Sequence, residues 1–235
     1  MSNLIENNVK NVRERIARAA DKSGRKEDEI LLVAVSKTQS LEKIYEAYQA
    51  GIVNFGENRV QDLSLKIAES RINLIWHFIG HLQSNKINKV LGNVEMIQSV
   101  DSIQLLEKLS VHGKERGLLS KVLLQVNTSG EDSKFGFEKE NVPVACEFVE
   151  KYSHINILGL MTIGPLTEDK SQIAKSFSSL RHLSEDLYKY SSDKIKMKYL
   201  SMGMTADYEL AIQEGSNLVR IGTAIFGART QGGLS

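Results

Sequence analysis

Apolar and polar positions along this chain alternate between two periods. Short apolar runs rich in branched side chains, at 31–35, 53–55, 74–79, 94–100, 121–126, 155–163, 197–200 and 218–221, read as strands covered on both faces. Between them the spacing is helical: from Ser40, a residue type suited to an N-cap, to a stop at Gly51; over 59–69; through Leu91 to Gly92; over 102–116, 139–152 and 169–190; and over 206–214 before Gly215. A leading amphipathic helix is expected over 1–20 through Leu4, Ile5, Val9, Val12, Ile16 and Ala19, with Gly24 as its stop. Strands that alternate with helices predict an α/β fold whose parallel sheet has crossovers of one hand. Eight such units close on themselves and leave no edge strand, so the pattern predicts a single (β/α)8 TIM barrel over 1–235, with an extra N-terminal helix, over an open doubly wound sheet.

Composition narrows the partners. The 30 basic and 29 acidic side chains leave a net charge of +1, so no global field draws the protein to nucleic acid or to an anionic membrane. Any anion must be held locally. The single cysteine, Cys146, can form neither an internal disulfide nor a cysteine cluster for metal, which suits a reducing compartment. No stretch of eighteen apolar residues and no signal-peptide core is present, and the expectation is a soluble cytoplasmic chain.

Candidate chemistry collects at the carboxyl ends of the strands, where α/β folds bind ligands. Lys37 follows the first strand, Asn58 the second, and His77 and His81 flank the end of the third. Asn127 follows the fifth, Met161 and Thr162 end the sixth, and Arg220, Gly222 and Thr223 follow the eighth. The pair Leu200-Ser-Met-Gly-Met-Thr205 and Val219-Arg-Ile-Gly-Thr-Ala-Ile-Phe-Gly227 lies where eight-stranded barrels commonly hold phosphate. Gly203 and Gly222 would admit a close backbone approach, and Ser201 and Thr223 would supply hydroxyls. A lysine facing a phosphate clamp suggests an imine, formed either with a sugar-phosphate carbonyl or with the aldehyde of pyridoxal phosphate. Lysine, with an ordinary pKa near 10.4, needs desolvation or a neighbouring cation to become a nucleophile, and Arg220 is placed to help. His77 and His81 are four apart but fall at a strand end marked by Gly80, so no metal is expected. His112, His154 and His182 read as surface residues, and Glu57 is the rim acid to watch.

Taken together, Ala34-Val-Ser-Lys37, Phe55-Gly-Glu-Asn-Arg-Val-Gln61, Trp76-His-Phe-Ile-Gly-His-Leu-Gln83 with Asn85-Lys86, Gly159-Leu-Met-Thr162 and the two segments after strands seven and eight resemble the pyridoxal phosphate homeostasis family. The resemblance implies a barrel like the amino-terminal domain of alanine racemase, with pyridoxal phosphate held as an imine on Lys37. It implies that Ser201, Gly222 and Thr223 hold the phosphate, that Arg220 faces the pyridine nitrogen, that Asn58 lies beside the ring and that Met202 and Met204 line the pocket. Lys134 matches the family's second lysine near the mouth, and His81, Met161 and Gly203 complete the candidate set. An arginine at the ring nitrogen keeps the pyridine neutral and a poorer electron sink. The racemase likeness ends near residue 230, and without an opposing domain the second proton donor that racemisation needs is not expected. The expectation is therefore a monomeric binding protein, not an enzyme, that sequesters pyridoxal phosphate and hands it to dependent enzymes. A racemase-like enzyme and a Schiff-base sugar-phosphate aldolase are the rivals.

Overall fold

The computed structural model describes residues 4–130 and 135–228. Helix α1 (Leu4–Lys22) leads into β1 (Leu31–Val35), α2 (Leu41–Gln49), β2 (Asn54–Glu57), α3 (Val60–Glu69) and β3 (Ile75–Phe78). There follow α4 (Ile87–Val90), β4 (Met96–Val100), α5 (Ile103–Arg116), β5 (Ser120–Gln125), α6 (Val142–Glu150) and β6 (Ile155–Met161). The chain continues through α7 (Lys170–Asp186), β7 (Ile195–Ser201), α8 (Tyr208–Gln213), β8 (Leu218–Ile221) and α9 (Thr223–Phe226). The strands pair in sequence order, all parallel, and β8 closes on β1 through Leu31↔Leu218 to Ala34↔Ile221. The expected closed barrel is the observed one.

Element boundaries move where local chemistry hides the strand. β2 extends through Gly56 and Glu57 because both pair with β3, while Val53, expected inside it, lies outside and is exposed. β7 begins at Ile195, two residues earlier than the apolar run, and the exposed Lys196 and Lys198 interrupt its apolar pattern. The helix expected before Gly92 shrinks to a 3-10 turn, Ser84–Lys86, and the single turn of α4. The helix expected over 169–190 tightens to 3-10 geometry from Leu187.

Two apolar cores result. The larger lies between strands and helices and includes Ala34, Phe55, Phe78, Leu160 and Ile221. A smaller cluster, Val33, Met96, Leu123, Met161 and Leu218, fills the barrel interior. The alternation of side chains along each strand separates the two. Helix α1 buries Ile5, Val9, Val12 and Ile16 and packs against α2, α8 and α9, so it straddles the joint between the first and last units. Asn8 Nδ2 fastens it to the Ile225 carbonyl at 2.9 Å.

Candidate functional site

Lys37 leaves β1 two residues after Val35, on the face that Val33 turns into the barrel, and is half-buried at the carboxyl-terminal mouth. The turn behind it is strained, because Thr38 is β-branched yet sits at φ 64°. Its hydroxyl donates to the Lys37 carbonyl at 2.6 Å. On the opposite face, Ser36 Oγ donates to Glu57 Oε1 at 2.8 Å, and Lys66 Nζ from α3 donates to the Ser36 carbonyl at 2.7 Å and to the same carboxylate oxygen. Glu57 is wholly buried and its Oε2 has no partner. Glu57 is therefore not a rim acid: it points outward from the barrel wall and pins α3 to the ends of β1 and β2. Asn58 follows directly, half-buried, and its carbonyl occupies the space that a Cβ on Gly80 would need, which draws the ends of β2 and β3 together.

Inside the wall lies a polar set that the sequence reading largely missed. Arg220 on β8 is buried; its Nη2 donates to the Thr162 carbonyl at 2.8 Å and its Nη1 to Ser201 Oγ. Ser201 Oγ donates to Gln98 Oε1 at 2.7 Å, Gln98 Nε2 lies 3.1 Å from His77 Nδ1, and His77 Nε2 lies 3.1 Å from Asn54 Oδ1. Burial pushes His77 down to about 4, so its imidazole is neutral. Burial also lowers Arg220, to about 10, partly offset by the nearby Asp207 carboxylate. Among the described residues no carboxylate is hydrogen-bonded to Arg220; its hydrogen bonds go to neutral oxygens. His77 is thus an interior residue, not a rim one. Gln98 and Asn54 carried one legible sign, a polar side chain at the inward phase of a strand.

The loops after β7 and β8 depart from expectation in detail. Ser201 is fully buried and its hydroxyl is spent inward. Met202, the next residue, points the other way into the core under the helices and so does not line the mouth. Met204 is partly exposed at the rim, beside the groove formed by Ile163, Pro165, Leu166 and Asp207. Gly203 is demanded by packing: it sits at φ 95°, and a Cβ there would come within 2.6 Å of Ala211 Cβ. Gly222 is different, since a Cβ would meet nothing nearer than the Val35 carbonyl at 3.4 Å. The barrel itself does not require that glycine. Thr223 is exposed and opens α9, whose first N–H groups have no acceptor within the helix. Met161 belongs to the interior cluster. His81 stands apart at the rim, 2.9 Å from Asp101 Oδ2 and stacked on Phe135 at 4.3 Å. Among the described residues no group of three potential metal ligands occurs, and Lys134 lies outside the described residues.

The described residues thus bring a strand-end lysine, a buried arginine hydrogen-bonded to neutral oxygens and two glycine-bearing turns to the carboxyl-terminal side of one barrel. The model of the alanine racemase N-terminal domain matches residues 5–230. The pyridoxal phosphate homeostasis protein of Aquifex aeolicus is 39% identical over 219 residues, covering 93% of this chain and 95% of that protein. The chain belongs to the alanine racemase N-terminal-domain family and, within it, to the pyridoxal phosphate homeostasis proteins. PipY of Synechococcus elongatus PCC7942, solved with pyridoxal phosphate bound, superposes with a TM-score of 0.79 at 34% identity, over 90% of this chain and all of PipY (100%). Alanine racemase of Clostridium difficile shares the fold at 15% identity and a TM-score of 0.72, over 95% of this chain and 56% of the racemase.

Proposed function

We propose that this protein binds pyridoxal phosphate covalently and reversibly through Lys37, and serves to store the cofactor and pass it to dependent enzymes. The observation that carries the reading is Arg220, a buried cation whose hydrogen bonds go only to neutral oxygens, on the wall of the same mouth that Lys37 enters. A charge so placed costs desolvation energy that an electron-rich ligand can recover. The fit extends to Gly222, a glycine the barrel's own packing leaves unexplained. Family membership and the loaded PipY support the choice of ligand.

When bound, pyridoxal phosphate supplies an aldehyde that a neutral primary amine can attack. Lys37 provides that amine, held at the mouth by the stiff Thr38 turn behind it. Gly222 would let the backbone approach the phosphate, and Thr223 would donate to it. Arg220 donates toward the ring nitrogen and, having donors only, leaves it unprotonated, which disfavours carbanion chemistry. Asn58 and Met204 flank the ring. Storage and delivery in the cell interior, by a monomer, complete the reading.

The test is borohydride reduction of protein mixed with pyridoxal phosphate, followed by peptide mass analysis. The expected result is one adduct, on Lys37. Lys37→Ala should lose the adduct yet retain weaker, non-covalent uptake through the phosphate contacts. An adduct spread over surface lysines, or none, overturns the proposal. Incubation with amino acids in deuterated water separates storage from catalysis: no enzymatic incorporation at the α-carbon is expected.

A further inference from the structure

Arg220 begins a chain of hydrogen bonds whose direction is forced. A guanidinium has donors only, so Ser201 Oγ accepts from Nη1 and its single proton goes to Gln98 Oε1. With its carbonyl taken, Gln98 turns its amide to His77 Nδ1, which accepts. The imidazole proton then sits on Nε2 and is donated to Asn54 Oδ1. Residues from β8, β7, β4, β3 and β2 thus align head to tail across the barrel interior, each bond polarising the next.

We infer that Gln98 and His77 are positioning residues for the cofactor: through Ser201 they fix the direction in which Arg220 presents its guanidinium. The inference rests on the proposed binding of pyridoxal phosphate with Arg220 at the ring nitrogen. Arg220 has no carboxylate to lock its orientation, so neutral acceptors must do so, and a hydroxyl free to rotate would be a poor one. Gln98 removes that freedom, and His77, anchored by Asn54 at the start of β2, keeps the Gln98 amide from flipping. Ser201 then acts through Arg220 and leaves the phosphate to the backbone and Thr223.

Two measurements test this. In native protein labelled with nitrogen-15 histidine, His77 should show an unprotonated Nδ1 and a protonated Nε2, unchanged between about pH 5.5 and pH 8. The opposite tautomer, or titration within that range, overturns the chain. Next, Gln98→Met is compared with Leu123→Val, an apolar change in the same interior that removes no hydrogen bond of the chain. Gln98→Met should lower affinity for pyridoxal phosphate about tenfold, the loss of roughly one well-made hydrogen bond. Its bound cofactor's visible band should become pH-dependent as the ring nitrogen loses a fixed donor. Leu123→Val should hold affinity within about threefold, with the native pH profile. Native behaviour in Gln98→Met, or equal disturbance by Leu123→Val, refutes the positioning role. If native protein takes up no pyridoxal phosphate while His77 keeps the expected tautomer, the binding proposal fails and the chain is architecture alone.

Discussion

Lys66 and Arg220 are both buried cations, one on each side of the barrel wall. Lys66, on the helix side, meets its counter-charge at once: the Glu57 carboxylate and the Ser36 carbonyl take its protons, and the three groups bind α3 to two strand ends. Arg220, on the lumen side, is as deeply covered but receives a hydroxyl and a carbonyl instead of an acid. The first arrangement is electrically closed and its consequence is rigidity beneath Lys37. The second leaves the cation without a carboxylate in hydrogen-bond contact among the described residues. Lys66 is paired within its own fold, whereas Arg220 is hydrogen-bonded to neutral groups and meets a carboxylate, Asp207, only through space.

The contrast can be broken experimentally. Lys66→Met should be the most damaging change, because it strands Glu57 in the core; a loss of about 3–5 kcal/mol is expected from urea unfolding. The double variant Lys66→Met with Glu57→Leu should recover most of it, and failure to recover would mean the pair is not self-contained. Acid should act on the lumen side. His77 is held near 4 in the fold against about 6.5 unfolded, so the unfolded chain binds the extra proton first. The stability this gives is whole above about pH 6.5 and is lost as pH falls toward 4, by up to roughly 3 kcal/mol, in unfolding curves taken across that window. His77→Gln should flatten the dependence.

Arg220→Gln sharpens the comparison from the other side. A glutamine removes the buried charge together with its desolvation cost but is too short to keep both hydrogen bonds, so unliganded stability should shift by only about 1 kcal/mol, while pyridoxal phosphate affinity falls at least about tenfold. Smallest in the unliganded protein is Gly222→Ala. With no neighbour nearer than 3.4 Å to a new Cβ, its melting temperature should scarcely move, and a severalfold drop in affinity should be its main effect. Gly203→Ala, at φ 95° against α8, should do the reverse.

The barrel was readable because most of its strands are covered on both faces and so appear as plain apolar runs. β7, whose lysines alternate with apolar residues, was the least distinct, and β2 was cut short by a glycine and an acid that only pairing with β3 makes strand-like. Lys37 and Arg220 stood out because a charge at the end of an apolar run, or inside one, is conspicuous; the structure places Arg220 within β8, on the wall and not on the rim. Gln98 and Asn54 did not stand out, since nothing local reveals which residues of other strands a polar side chain will meet, whether on the next strand or three strands away. His77 was displaced to the rim by Gly80, which marks the end of β3 three residues later. Lys66 looked like any helix lysine, and only the fold shows it under Ser36. Met202 failed on parity, because the alternation of β7 persists one residue past the strand's end.

Helix α1 has a consequence for how the molecule is made. It leaves the ribosome early, yet the surfaces it covers on α8 and α9 belong to the last part of the chain. Until those arrive, Ile5, Val9, Val12 and Ile16 lack two of the helices they pack against, and the ring cannot shut. Ring closure and the shielding of that greasy stripe are one late event, so the nascent chain carries a sticky flank uncovered until segments as far apart as Asn8 and Ile225, 217 residues, can meet.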